Sequence, residues 1–261
     1  MTLRLADVLN AMPMVYTSIE CIQQYEGKPM AEQVKSRQRV QDHGEVFTNE
    51  REVNAMLDMV KDETERIESR FLEPACGDGN FLAEILRRKL GVVARQYKKS
   101  PDDYMRYAFV AVSSIYGVEL LADNAQDCRD RLYEIAKHEA EGAIKRPDQA
   151  FLDSIRYVLT RNILCGDALT LRDDAGEPIT FAEWSLVTGD KVKRRDFLLS
   201  ELLDGNTDKG ETLSLFADEQ ADTGAVRSHA DWEYDPETDA YIPSAIKEYP
   251  LTNYWEVQRY E

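Results

Sequence analysis

Two kinds of apolar pattern alternate along the chain. Apolar residues spaced three and four apart, as on one face of a helix, predict helices over 2–26, 50–60, 80–90, 102–113, 123–139 and 148–160. Short continuous apolar runs predict buried strands at 70–73, 115–119 and 162–166. Strands that alternate with helices favour an α/β fold, in which a parallel sheet carries helices on its faces.

Changes in composition divide the chain into four segments. A helical segment over 1–42 precedes an α/β domain over 43–200. Residues 201–231 are rich in acidic and small polar residues and lack periodicity, which indicates a linker. Residues 232–261 form a predicted irregular tail that stays acidic but contains many Trp and Tyr side chains, which linkers seldom carry. We therefore expect this aromatic tail to dock on a partner.

The negative charge is unevenly distributed. Residues 201–261 contain 15 acidic and 4 basic side chains, a balance of −11, so −6 of the total of −17 remains for residues 1–200. A phosphate backbone repels such a chain, and we expect it to act on nucleic acid only together with a partner. The sequence contains neither a membrane-spanning apolar run nor a signal-peptide pattern, which predicts a cytoplasmic protein. The four scattered cysteines predict reduced thiols and no metal site.

A glycine turn lies between the first predicted strand and its helix, within Phe71-Leu-Glu-Pro-Ala-Cys-Gly-Asp-Gly-Asn-Phe81. Glycine tolerates positive φ and lets the backbone approach a ligand, and the helix N-terminus behind it favours anionic groups. Glu119 ends the second strand, where nucleotide-binding sheets place an acid that accepts from a ribose. Asp167 ends the third strand, so we expect Glu73, Glu119 and Asp167 to line one crevice.

The spacing argues against a dinucleotide site. Glu119 follows Gly79 by 40 residues, whereas dinucleotide-binding folds place this acid roughly 20 residues after the glycines. Leu82 also stands where the third glycine of that motif would be. For the Gly-Asp-Gly turn alone, a structural turn without a ligand remains the alternative.

Four segments together resemble the adenine-N6 DNA methyltransferases, in the branch whose adenosylmethionine region precedes the catalytic motif. The segment Glu73–Leu82 looks like their first motif, and His43-Gly-Glu-Val-Phe-Thr48 looks like an upstream Gly-x-x-Phe-Thr-Pro segment, with Asn49 in place of the proline. Gly117-Val-Glu-Leu120 and Asn162-Ile-Leu-Cys-Gly-Asp-Ala168 look like the second and third motifs. The resemblance implies a Rossmann-like class I methyltransferase sheet and S-adenosyl-L-methionine as the cofactor.

The resemblance also implies a role for each motif. The upstream Phe-Thr pair would close over the methionine end of the cofactor, and the glycine loop would hold its amino and carboxylate groups. The second motif would bind the ribose and the third the adenine. The implied cofactor-binding residues are Phe47, Thr48, Glu73, Pro74, Ala75, Cys76, Gly77, Gly79, Asn80, Phe81, Glu119, Leu120, Asp167 and Ala168. Simpler roles stay open: Thr48 as a helix cap, Asp167 as the end of a strand, and Cys76 as loop filling.

The motif that handles the target adenine in that family is missing. The amino group of adenine is a poor nucleophile, and the family's Asn/Asp-Pro-Pro-Tyr/Phe motif accepts its hydrogen bonds and stacks on the flipped base. No Pro-Pro pair occurs in the sequence, and Asp235-Pro236 is followed by Glu237. At the expected distance stand residues 181–190, followed by a basic run, Lys191–Arg195. We interpret this run as a solvated face, with a phosphate or an acidic partner surface as alternative ligands. We therefore expect no catalytic residue in this chain.

The leading hypothesis is the S-adenosylmethionine-binding subunit of a split, metal-free DNA adenine-N6 methyltransferase of a restriction-modification or phage-defence system. A second methyltransferase subunit would carry the Pro-Pro motif and the target recognition domain, and double-stranded DNA would bind through the complex. The first alternative is a degenerate methyltransferase that acts as a regulatory or scaffold subunit. The second is a methyltransferase for RNA or a small molecule.

Overall fold

A computed structural model describes residues 48–204, 232–235 and 240–260. The predicted N-terminal helical segment 1–42, Phe47 and most of the predicted linker 201–231 lie outside these residues. The described α-helices are α1 Glu50–Asp58, α2 Lys61–Thr64, α3 Asn80–Tyr97, α4 Pro101–Ser113, α5 Ala122–Ile144, α6 Gln149–Asn162 and α7 Leu199–Asp204, and a 3-10 helix spans Tyr254–Arg259. The described strands are β1 Phe71–Glu73, β2 Ile115–Glu119, β3 Ile163–Asp167, β4 Arg172–Asp173, β5 Thr180–Thr188, β6 Lys191–Leu198, β7 Trp232–Asp235, β8 Ala240–Pro243, β9 Lys247–Glu248 and β10 Thr252–Asn253.

The central sheet has the order β1-β2-β3-β4. β1, β2 and β3 are parallel, and the short β4 runs antiparallel to β3. The connections from β1 to β2 and from β2 to β3 each contain two helices. The predicted α/β class, with a parallel sheet and helices, is therefore confirmed.

The two faces of this sheet carry different layers. Phe71, Ile115 and Ile163 share one core with apolar side chains of α3 to α6, and we call this side the helix face. The alternate strand residues Leu72 and Tyr116 join a second core with residues of β5, β6 and α7. Since successive strand residues point to opposite faces, each strand contributes to both cores.

The segment 180–198 forms an antiparallel hairpin of β5 and β6 that the sequence analysis did not predict. Its basic run makes ion pairs within the chain: Lys193 with Glu248 at 2.9 Å and Arg194 with Asp196 at 2.8 Å. The solvated-face interpretation is therefore wrong for Arg194, which is buried.

The described part of the aromatic tail is not irregular, since it contains β7 to β10 and the 3-10 helix. Its residues 247–260 pack on the rest of the chain. β9 and β10 both pair with β6, and the backbone N–H of Tyr254 donates to the carbonyl of Asp190 at 3.0 Å. The Tyr157 hydroxyl donates to the Tyr260 carbonyl at 2.7 Å, and Tyr254 and Tyr260 are buried. Docking of the segment 232–261 on a partner stays a prediction.

Candidate functional site

The carboxyl ends of the three parallel strands are staggered along one edge of the sheet. Glu73 lies opposite Gly117 in the register of β1 and β2, and Glu119 lies opposite Cys165 in the register of β2 and β3. Each strand therefore ends two residues beyond its neighbour. Because strand side chains alternate between faces, Glu73, Glu119 and Asp167 all point toward the helix face. The structure thus brings the three predicted carboxylates to one edge and one face.

The glycine loop fits against β2 and α5 only without side chains at two positions. Gly79 has φ +87°, and a Cβ there would lie 2.7 Å from the Cys128 sulfur. A Cβ on Gly117 would lie 2.8 Å from the Cys76 sulfur, so the loop passes directly over this residue of β2. The N–H of Cys76 donates to the Val118 carbonyl at 3.0 Å, which extends the β1–β2 pairing into the loop. The backbone of the loop is therefore held close to the carboxyl ends of the strands.

The carboxylate of Glu119 holds this loop. It is 8% exposed and accepts from the backbone N–H of Gly77 at 2.8 Å and of Leu121 at 3.1 Å, and from the Asn124 amide at 3.4 Å. A carboxylate has about four acceptor positions, so these donors leave about one more. Binding both hydroxyls of a ribose through Glu119 requires one of these bonds to be shared or released.

Glu73 has the opposite environment. Among the described residues, no group donates a hydrogen bond to its carboxylate and none forms an ion pair with it. Burial raises the pKa of Glu73 to about 7, because the charged form loses hydration without gaining a partner. An acid with a raised pKa beside a glycine loop is a candidate for a ligand-binding group.

The end of β3 has a polar turn with apolar neighbours. Asp167 accepts from the N–H of Leu169 at 2.8 Å. This contact is one expected of a residue that ends a strand, which was the alternative role of Asp167. Leu120 and Leu169, which follow the second and third strands, are 55% and 70% exposed. Exposed leucines beside an acid offer apolar surface to a flat ring.

Cys76 is a buried residue of the loop interior. Its hydrogen bond with Cys128, together with burial, raises the pKa of the Cys76 thiol well above its ordinary value. A thiol in this state is a poor nucleophile, which favours the loop-filling role. Pro74 and Ala75 are exposed, whereas Phe81 packs against the core on the helix face.

The segment before α1 contacts the same loop. Asn49 caps α1 by accepting from the Arg51 N–H at 2.9 Å, so the alternative role of Thr48 as the cap is wrong. The carbonyl of Thr48 accepts from the Asn80 side-chain amide at 3.3 Å, which places Thr48 beside the start of α3.

Three residues of α5 that the sequence analysis missed surround the loop. Asn124 donates to Glu119, Cys128 lies against Gly79, and Arg131 donates to Asn80 at 2.7 Å. Their spacing of four and three residues puts them on one helix face. That spacing is a signal in the sequence, whereas the apolar positions of α5 predict only the helix.

No protein-family model, curated protein or solved structure matches this chain. Over the described part of the chain, no group of three or more His, Cys, Asp or Glu side chains is arranged to hold a metal ion. None of the helices in the described ranges combines the length and the apolar character needed to cross a membrane.

Proposed function

We propose that this chain is the S-adenosylmethionine-binding subunit of a split DNA adenine-N6 methyltransferase, and that its parallel sheet is the Rossmann-like sheet of that enzyme class. The observation that carries the proposal is Glu73, a partly buried carboxylate without a partner beside a left-handed glycine turn. It shares one edge and one face of the sheet with Glu119 and Asp167.

The loop matches the amino acid end of S-adenosylmethionine. Burying a carboxylate without a partner is costly, and an ammonium group of a ligand offsets that cost at Glu73. The N-terminus of α3, which has no side-chain cap, suits the ligand's carboxylate. A site that takes both charges of an amino acid favours this ligand over a plain nucleotide.

Glu119 and Asp167 match the nucleoside end of S-adenosylmethionine. Glu119 has about one free acceptor position for a ribose hydroxyl, and Asp167 has a second carboxylate oxygen for an adenine amino group. Leu120 and Ala168 flank these acids and supply apolar contact for the rings. The chain's own work is to bind and orient; S-adenosylmethionine, when bound, supplies a methyl group on a positively charged sulfur.

The acceptor side of the reaction belongs to a partner in this proposal. The chain lacks the Asn-Pro-Pro-Tyr motif, and a net charge of −17 opposes contact with DNA by this chain alone. We place the catalytic motif, the target recognition domain and most DNA contacts on a second, cytoplasmic methyltransferase subunit.

Calorimetry with S-adenosylmethionine tests the binding. We expect the wild-type chain to bind, and Glu119→Ala and Asp167→Ala to lose binding while they stay folded by circular dichroism. Asp153→Ala, an exposed carboxylate on α6, is the matched control and should bind like the wild type. Unchanged affinity in both site variants would refute the assignment, and strong DNA methylation by the chain alone would refute the split.

A regulatory or scaffold subunit is the second candidate, and one observation favours it. Three donors already occupy most of the Glu119 carboxylate without a ligand, and one of them, the N–H of Gly77, belongs to the glycine loop. No heat on titration with S-adenosylmethionine, together with a stable complex with the partner subunit, would decide for this role.

A further inference from the structure

Arg131 joins parts of the site that are distant in sequence. One of its guanidinium nitrogens lies 3.4 Å from both the carbonyl and the carboxylate of Asp78, inside the glycine turn. The same nitrogen donates to the side-chain oxygen of Asn80 at 2.7 Å. All three contacts are made by this one charged nitrogen, which strengthens them relative to bonds between neutral groups. Arg131 therefore fixes both the turn and the first residue of α3.

Asn80 transmits this constraint to Thr48. Its oxygen accepts from Arg131, and its nitrogen donates to the Thr48 carbonyl at 3.3 Å. A carboxamide has its oxygen and nitrogen on opposite sides, so holding the oxygen also sets the direction of the nitrogen. Thr48 directly precedes the cap of α1, so one side chain of α5 orients a contact between α1 and α3.

We propose that Arg131 is a positioning residue for S-adenosylmethionine. Through Asn80 it keeps Thr48 against the glycine turn, so that both lie at the amino acid end of the ligand. This inference rests on the proposed function for its ligand, but not for its geometry. The nucleoside end lies against Glu119 and Asp167, which Arg131 does not contact.

The test compares two ligands of the full-length chain: S-adenosylmethionine and methylthioadenosine, which lacks the amino acid end. For Arg131→Gln we expect S-adenosylmethionine affinity to fall by about 10-fold, the size of one lost bond to a charged group, with methylthioadenosine affinity unchanged. Arg131→Lys keeps one charged nitrogen and should therefore retain more of the affinity than Arg131→Gln. Asn80→Asp keeps an acceptor for Arg131, loses the donor to Thr48, and should lose S-adenosylmethionine selectively. Arg87→Gln, a half-exposed arginine of α3, is the control.

Hydrogen exchange without ligand gives a second readout. We expect faster amide exchange in the first turn of α1 in Arg131→Gln and Asn80→Asp, and no change in Arg87→Gln. Equal loss of both ligands, wild-type affinity in Arg131→Gln, or unchanged exchange would overturn the positioning role. If the wild type binds neither ligand while the exchange result holds, the positioning of Thr48 stands and only the proposed function fails.

Discussion

The acidic side chains at the two ends of the parallel strands have different partners. At the amino ends, buried Lys89 donates to the carbonyls of Ile67 (3.2 Å) and Ser69 and to the Ser114 hydroxyl (2.5 Å). Burial opposes ionisation of Glu183, yet two arginines lower its pKa: Arg70 at 2.6 Å and Arg195 at 2.5 Å. Glu183 therefore has two charged partners, whereas Lys89 is held only by neutral oxygens, and burial lowers its pKa to about 7.

At the carboxyl ends, charges are left without a charged partner. Glu119 accepts only from N–H groups, and Glu73 has neither a hydrogen bond nor an ion pair among the described residues. The difference shows that burial alone does not identify a functional site, because both ends bury acids. Among the acids of the two ends, Glu73 stands out because its burial is uncompensated, which a ligand can exploit.

The largest effect should come from removing the charge of Glu183, which has two charged partners. Glu183→Gln keeps the size of the side chain but leaves Arg70 and Arg195 without their counter-charge. We expect the free energy of unfolding to fall by about 3 to 5 kcal/mol in urea titrations. Glu65→Gln, in an exposed pair with Lys61 at 3.8 Å, should cost less than about 0.5 kcal/mol. Similar small losses in both variants would contradict the comparison.

Removing the charge of Glu73, which has no partner, should stabilise the protein. The pKa of Glu73 is about 7 in the folded chain against an ordinary 4.5, so the folded state holds this proton more tightly than the unfolded state does. Stability is therefore lost as the pH rises from about 4.5 through 7. Glu73→Gln should gain about 1 to 3 kcal/mol at pH 8 and much less at pH 5, measured by urea unfolding. A gain of equal size at both pH values would show that ionisation of Glu73 is not the cause.

The smallest effect should be on ligand binding as a function of pH. If ionised Glu73 accepts from the ligand's ammonium group, affinity for S-adenosylmethionine should rise by up to about 10-fold between pH 6 and 8, as the ionised fraction grows. Methylthioadenosine has no ammonium group, so its affinity should stay level, and Glu73→Gln should show no rise for either ligand. Calorimetry at three pH values measures this, and a parallel rise for both ligands would argue against the contact.

The parallel core could be read from the sequence because its signals are local. β2 was predicted at 115–119 and occupies Ile115–Glu119, since a buried parallel strand is a continuous apolar run. α5 was predicted from its apolar face and extends a further turn to Ile144. The three carboxylates followed from the strand ends, because a parallel sheet places those ends together.

The β5–β6 hairpin and the role of Arg131 could not be read in the same way. β6 contains a run of basic residues, and nothing local reveals that Arg194 is buried against Asp196. Arg131 lies on an amphipathic helix, where a charged residue usually faces solvent, and its acceptors are about 50 residues away in the sequence. In both cases the partner of the charge is set by tertiary packing, which spacing does not show.

The stagger of the strand ends also sets a length. Neighbouring strands lie about 4.8 Å apart and two residues rise about 6.6 Å, so each step spans about 8 Å and the path from Glu73 to Asp167 about 16 Å. The registers that define these steps are fixed by the pairing of β1 with β2 and of β2 with β3. The sheet thus selects ligands by length. An elongated molecule with polar groups at both ends and in its middle can reach all three acids, whereas a compact molecule reaches two at most.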